Sequence, residues 1–374
     1  MEKTLRFHNN HFRVMLVGDP HCKPEDQTEQ ERNIIKDYLD LQYAAIKETK
    51  PDLVILMGDN AEGKTPEALQ KTLLRITKPY SDHNIPFSFV LGNHDLQYCE
   101  TSSLKYVYEI YASLPGCFLP EDHTEFGDFT LPVFSESSNT QKLQILCMYS
   151  GASDYSPKGS YYDFVKPAQI AWMKETQTRL GDIPSVLIQH IPFPEEFGLL
   201  KEATPLAMLF DGVLGQNEQK GRFFRLRRSV DGYLGEAPCT PAINSGEFEA
   251  VKQCGNIFAA FFGHDHMNDF VGMVDGIILG QCKTASFNAY GDGLRQGVRI
   301  LDFYENAPYT LKTKMYGYRG LISNHCRSLS GSIAVLHDKT SVKIETGAKI
   351  GGIAAAAALP FAAAALIYKH LHRK

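Results

Sequence analysis

Residues 263–269 read GHDHMND, which sets two imidazoles, His264 and His266, one residue apart between a glycine and an acid. They follow IFAAFF (257–262), a short apolar run of the kind that forms a buried strand. The same arrangement recurs along the chain. FRVMLV (12–17) runs into Gly18, Asp19, Pro20 and His21; DLVILM (52–57) runs into Gly58, Asp59 and Asn60; PFSFVL (86–91) runs into Gly92, Asn93, His94 and Asp95; SVLIQ (185–189) runs into His190. Between the first three runs lie helical stretches. Residues 29–50 place Ile34, Ile35, Tyr38, Leu39 and Leu41 on one side at helical spacing, and residues 66–77 behave likewise. Alternating strands and helices predict an α/β fold of sheets wrapped by helices, with ligands gathered beyond the carboxyl ends of the strands.

Asp19, His21, Asp59, Asn93, His190, His264 and His266 form a nitrogen and oxygen donor set without a thiolate, which suits Zn, Mn or Fe. The set is too large for one ion. Two divalent cations roughly 3.5–4 Å apart, sharing a carboxylate, would use all seven and would acidify a water held between them. Each piece alone is weak: Asp-x-His is commonly an N-cap or surface pair, Gly-Asp-Asn is an ordinary turn, and a lone histidine after a strand is usually a satisfied core residue. The ordered set, each member after its own strand, carries the reading.

The order Asp-x-His, Gly-Asp, Gly-Asn-His-Asp, lone His, Gly-His-x-His resembles the calcineurin-like metallophosphoesterase superfamily. KPDLVILMGDNAEG, NIPFSFVLGNHD, HIPFPE, INSGEF and GHDHMNDFVG are similar to its purple-acid-phosphatase-like branch. The resemblance spans residues 11–305 and implies a four-layer αββα sandwich. It also implies that one metal is held by Asp19, His21 and His266, the other by Asn93, His190 and His264, with Asp59 bridging the two. His94 would face the substrate, stabilising phosphoryl oxygens or protonating the leaving group, and Asp95 would orient it. Asp265 would point away from the ions. The implied reaction is hydrolysis of phosphate esters by a hydroxide bridging two divalent ions (Mn, Fe or Zn). A nuclease or cyclic-nucleotide phosphodiesterase on the same site, and a non-catalytic metal-bound scaffold, are the alternatives. One departure is visible: the branch's phosphatases place a metal-binding tyrosine three residues after the bridging aspartate, where this chain has Glu62, so no tyrosinate-iron colour is expected.

With 374 residues, 43% hydrophobic and 22% charged, the chain is expected to form one catalytic domain with appendages. A net charge of -5 gives no global reason to hold a polyanion, so no long nucleic acid is expected as partner. Eight scattered cysteines without a CxxC pair read as reduced thiols, and the N-terminus has no apolar run long enough for a signal peptide. Residues 350–368 contain no charge and precede the basic KHLHRK. At about 1.5 Å per residue they match a hydrocarbon layer of roughly 30 Å. We expect a single-pass C-terminal membrane anchor with the catalytic domain in the cytoplasm. Pro360 and the alanine content leave a soluble, cytoplasmic protein with an Ala-rich helix as the alternative.

Four segments remain. Residues 150–172 form a Ser/Gly/Pro/Tyr-rich stretch expected either at the substrate rim or as a plain surface loop. Residues 194–235 are long enough to be a lid or a partner-binding insertion. Within them RFFRLRR (222–228) combines four arginines with two phenylalanines, which reads as a solvated helical face or as a patch for phosphate groups or an anionic lipid surface. In the C-terminal extension 306–346, residues 332–346 alternate about a HDKT turn and predict a hairpin.

Overall fold

The computed structural model describes residues 4–24, 26–97, 103–120, 123–153, 162–328 and positions 347, 350, 351 and 354. In chain order the elements are β1 (Leu5–Arg6), β2 (His11–Val17), α1 (Glu29–Thr49), β3 (Leu53–Met57), α2 (Pro66–Asp82), β4 (Phe87–Val90), α3 (Leu104–Ala112), β5 (Phe129–Phe134), β6 (Gln141–Cys147), α4 (Pro167–Leu180) and β7 (Ser185–Gln189). They continue with β8 (Leu200–Ala203), β9 (Val213–Leu214), β10 (Phe223–Leu226), α5 (Glu247–Cys254), β11 (Ile257–Phe262), β12 (Val271–Val274), β13 (Ile277–Gln281), β14 (Gly297–Tyr304), β15 (Leu311–Gly317) and α6 (Tyr318–Leu321).

All five apolar runs picked out in the sequence are strands. They are divided between a five-stranded sheet, β15-β14-β2-β3-β4, and a seven-stranded sheet, β1-β5-β6-β7-β11-β13-β12. β2, β3 and β4 run parallel, as do β7 and β11. Parallel alignment puts the carboxyl ends of each group on one rim. The rims meet, since Gly18 after β2 forms a parallel bridge with Thr284 beyond β13.

Side-chain alternation shows how the layers stack. In β7 and β11, Val186, Ile188, Ala259 and Phe261 join one apolar core together with Val14, Leu16, Ile55 and Phe89 of the other sheet and Tyr38, Leu41, Leu73 and Ile76 of α1 and α2. Leu187, Ala260 and Phe262, on the opposite face, join a second core with Met173 of α4 and Phe248 and Val251 of α5. The order is therefore helices, sheet, sheet, helices. Each fully buried aliphatic or aromatic side chain contributes about 1.5–3 kcal/mol, so two cores of this kind fix the register of both sheets. The connecting helices begin where the sequence permits. Thr28 and Glu31 form a reciprocal capping box at α1, and Thr65 caps α2 ahead of Pro66.

Some expectations need amendment. α2 continues to Asp82, past the expected residue 77, carrying Pro79 inside its last turn. β15 pairs with β14 along its length, so the five-stranded sheet continues beyond residue 305. RFFRLRR is not a helical face: Phe223–Leu226 is a strand in a small sheet, β8-β10-β9, with Phe224 buried and Arg222 ion-paired to Glu202. The surrounding residues 194–235 are pinned to the second core by Leu199, Leu200, Val213 and Val230. Among the described residues no helix is long and apolar enough to cross a membrane. The hairpin expected at 332–346 and most of 350–368 lie outside the described residues.

One buried acid makes the fold sensitive to pH. Glu196 is fully buried; its Oε2 accepts from Gln281 Nε2 at 2.9 Å, and Oε1 has no partner among the described residues. Burial raises this carboxyl from 4.5 to about 8, against the opposing effect of the Gln281 hydrogen bond. A group protonated in the folded chain but ionised in the unfolded one binds more protons when folded, so its stabilisation is complete below about pH 4.5 and is lost as pH rises through about 8. Glu196→Gln should match the parent in denaturant unfolding at acid pH and exceed it by roughly 1–3 kcal/mol at mildly alkaline pH. An offset between the two proteins that does not change with pH would rule out a protonated Glu196.

Candidate metal centre

Where the two rims meet, the strand ends deliver all seven predicted ligands to one cleft. Asp19 and His21 follow β2, Asp59 follows β3, Asn93 follows β4, His190 follows β7, and His264 and His266 follow β11. Asp19, Asp59, Asn93, His190, His264 and His266 are buried, and His21 nearly so. Ligand atoms of Asp19, His21 and His266 lie within 4.8 Å of one another, and the same holds for Asp59, His190 and His264.

With the rings neutral, the short distances at His190 and His266 are between atoms that can each accept. His21 Nε2 and His266 Nε2 are 3.2 Å apart; His190 Nε2 is 3.1 Å from Asn93 Oδ1 and 3.3 Å from Asp59 Oδ2; His266 Nε2 is 3.5 Å from Asp19 Oδ1. The tautomers explain why these are lone pairs. His190 Nδ1 donates to Met57 O and His266 Nδ1 to Tyr290 O, which leaves Nε2 of each ring unprotonated in the neutral form and turned inward. Ligands at about 2.0–2.1 Å from a tetrahedral ion stand roughly 3.3 Å apart. The donor set therefore fits metal ions in spacing and in chemistry. Asp59 Oδ2 lies between the two groups, 3.3 Å from His190 Nε2 and 3.6 Å from His21 Nε2.

The electrostatics divide the rings. Burial lowers His21 to about 4, favouring its neutral, ligating form. Burial also opposes the charged form of His190, yet Asp59 and Asp19 together outweigh it and raise that ring to about 10. Asp59 is held well below the usual carboxylate range: burial pushes its carboxyl up, but His190, His21 and His94 outweigh that effect.

The backbone pays conformational strain to aim these groups. Asp19, His21, Asp59 and His264 all have φ between 44° and 71°, the left-handed region that residues other than glycine rarely adopt and that Asp, Asn and His tolerate best. Two glycines show why each strand ends in that residue. A Cβ on Gly58, itself at φ +98°, would stand 2.5 Å from His190 Nδ1, and a Cβ on Gly92 would overlap the Asp59 carboxylate. Neighbouring ligands occupy the space a side chain would need.

Asp95 departs from its expected role. Its carboxylate accepts from the amides of Gly92 at 2.7 Å and of Asp59 and Asn60 at 2.8 Å, tying the β3 and β4 loops together. Burial, with Asp59 nearby, raises it to about 7 against the lowering effect of those amides. The His94 ring instead has Gln97 Oε1 at 2.8 Å from Nδ1, while His94 N donates to Asp59 Oδ1 at 2.7 Å. Asp265 does turn away, accepting from Cys239 N and Gln281 Nε2.

Several site residues escaped the sequence reading. Tyr290 stacks on His266 at 4.1 Å between centroids, Tyr162 meets His264 edge-on at 4.4 Å, and Ser153 Oγ accepts from Asn93 Nδ2 at 2.8 Å. Ser153 and Tyr162 fall within the segment 150–172 expected at the rim, whose residues 154–161 lie outside the described set. Tyr290 had no such signal, because it sits in a loop without apolar periodicity or a ligand motif.

A family model described as calcineurin-like phosphoesterase matches residues 12–268. The chain is similar to the Arabidopsis thaliana protein named "Probable inactive purple acid phosphatase 14", 26% identical over 354 residues that cover 86% of this chain and 80% of that one. It is likewise similar to "Probable inactive purple acid phosphatase 29" of the same plant, 26% identical, covering 77% and 76%. A solved dimetal phosphatase from Danio rerio shares the fold, with a TM-score of 0.50 at 10% identity, covering 82% of this chain and 96% of that one.

Gly92→Ala tests the packing of this centre. The variant should fold with unchanged circular dichroism yet lose more than half of its bound metal by elemental analysis, because the new methyl displaces Asp59. Full metal content in the folded variant would show that the loop has room the geometry denies.

Proposed function

The chain belongs to the calcineurin-like phosphoesterase family, and from that premise we propose that it hydrolyses phosphate esters at a centre of two divalent metal ions. The observation that carries the reading is the position of the Asp59 carboxylate, clustered with His190 and His264 and 3.6 Å from His21 of the Asp19, His21 and His266 set, with Asn93 Oδ1 3.1 Å from His190 Nε2. Asp59 would be the bridging ligand. Bound there, Mn, Fe or Zn ions neutralise phosphoryl charge and acidify a water for attack.

The remaining steps belong to the chain. His94 lies beside the first ligand set, with its ring 5.6 Å from that of His21. Its Nδ1 proton is directed at Gln97, so Nε2 is the atom that stabilises a phosphoryl oxygen or passes a proton to the leaving oxygen. Gln97 is a positioning residue that fixes this tautomer. Asp95 keeps Asp59 and His94 on adjoining loops through the amides it collects. Tyr290 and Tyr162 wall the cleft against water beside His266 and His264.

Tethering to a membrane through residues 350–368 is part of the proposal and is supported by their uncharged composition alone. The word "inactive" in the relatives' names favours a second reading, a metal-bound protein without turnover. It is weakened by the complete set of ligands and by His94.

The deciding experiment strips the protein of metal, reloads it with Mn, Fe or Zn, and measures hydrolysis of an aryl phosphate monoester and the matching diester. Turnover should require metal, vanish in Asp59→Asn together with metal binding, and fall about a hundredfold or more in His94→Ala with metal content intact. A diester preference would move the reading to a phosphodiesterase. Two tightly held metals with no turnover on either ester would favour the non-catalytic protein.

A further inference from the structure

A second cluster of acceptor oxygens lies on the outer face of the seven-stranded sheet, on the side of α5. There a small cavity is lined by Gln189, Glu195 and Glu247 among apolar walls that include Phe164, Phe193 and Phe248. Gln189 is the last residue of β7, Glu195 lies in the turn that follows, and Glu247 opens α5. Gln189 is 1% exposed and Glu247 is 6% exposed.

Each of the three presents one buried oxygen that has no hydrogen-bond partner: Gln189 Oε1, Glu195 Oε2 and Glu247 Oε1. Their orientations are set from behind. Gln189 Nε2 donates to Ile191 O at 2.8 Å, which directs the amide oxygen the other way. Asn244 Nδ2 donates to Glu195 Oε1 at 2.7 Å, leaving Oε2. Buried acceptor oxygens without a donor are unfavourable, and three of them belong to residues that line this one cavity.

We propose that Gln189, Glu195 and Glu247 form an all-oxygen site for one hard divalent cation of the Ca²⁺ or Mg²⁺ class. Two carboxylates supply the charge, a neutral amide oxygen supplies a third ligand, and the absence of nitrogen and sulfur among the three separates this site from the histidine-rich centre. Burial raises Glu247 to about 8, against the lowering effect of the Gln189 side chain beside it. The ion would join the exit of β7 to the start of α5. His190 lies between Gln189 and Ile191, so the site would also steady the strand end that carries that ligand. The inference does not depend on the proposed reaction.

The test is thermal unfolding of the full, metal-stripped chain with Ca²⁺ or Mg²⁺ added alone at about 1 mM, the concentration range of weak oxygen-ligand sites. Asp59→Asn disables the histidine-rich centre and Glu247→Gln disables the cavity, with Glu195→Gln as the substitute should Glu247→Gln not fold. One of the two cations should raise Tm by about 2–4 °C in the parent and in Asp59→Asn, and by nothing measurable in Glu247→Gln. No shift in any protein would overturn the proposal, leaving a protonated Glu247 donating to Gln189 Oε1 as the explanation of the cluster. A shift retained by Glu247→Gln and lost by Asp59→Asn would overturn it equally, placing the ion at the strand ends.

Discussion

Everything in this molecule is organised around an electrostatic conflict at the meeting of two sheet rims. Asp19 and Asp59 are nearly inaccessible, and they face ring nitrogens that are themselves acceptors, His190 and His266 among them. In a dry interior such a set repels itself, because each member has lost its water and has gained a neighbour with the same need. Protons relieve part of the conflict, which is why His190 is raised to about 10. Divalent cations relieve it more fully, since one ion satisfies several lone pairs together. The fold keeps an arrangement that is unfavourable by itself because the two cores around it are large enough to hold it.

Holding it requires rigid ends on every strand. The left-handed backbone at Asp19, His21, Asp59 and His264 costs on the order of 1–3 kcal/mol per residue. The cost is borne because the next layer over-determines each loop. Asp95 collects three amides from two loops, Asp19 accepts His264 N through both oxygens at 3.1 Å, and Thr284 Oγ1 donates to Asp19 O. The Asp19 bonds cross between the sheets, so neither sheet can shift without disturbing the centre. Proximity of this quality is what a hydrolytic site needs, since positioning alone can remove several kcal/mol from a barrier.

The strands and ligands were legible in the sequence because the same physics writes both. A strand buried on both faces must be continuously apolar, and a ligand at its end must follow a glycine wherever a neighbouring ligand fills the space of a Cβ, as at Gly58 and Gly92. The candidate ligands Asp19, Asp59, Asn93 and His264, each after its glycine, and the strands before them follow from that local rule. Interactions set by three-dimensional neighbours were not legible. Tyr290 reaches His266 from 24 positions away, and Asp95 adjoins His94 in sequence yet spends its carboxylate on amides of another loop. RFFRLRR could not be read as a strand from charge pattern, because the pairing with β8 that extends it is supplied by the tertiary fold.

The contrast between the complete ligand set and the relatives' names turns on where catalysis resides. Metal ligands establish that a site can hold ions; they do not by themselves make a phosphate ester react. Turnover further requires a group that meets charge as it develops on the leaving oxygen, and a cleft shaped to align the ester with the attacking water. In the proposed reaction His94 would meet the first condition. Its partner is the neutral amide of Gln97, which fixes the tautomer without adding the negative charge that a carboxylate would place behind the ring.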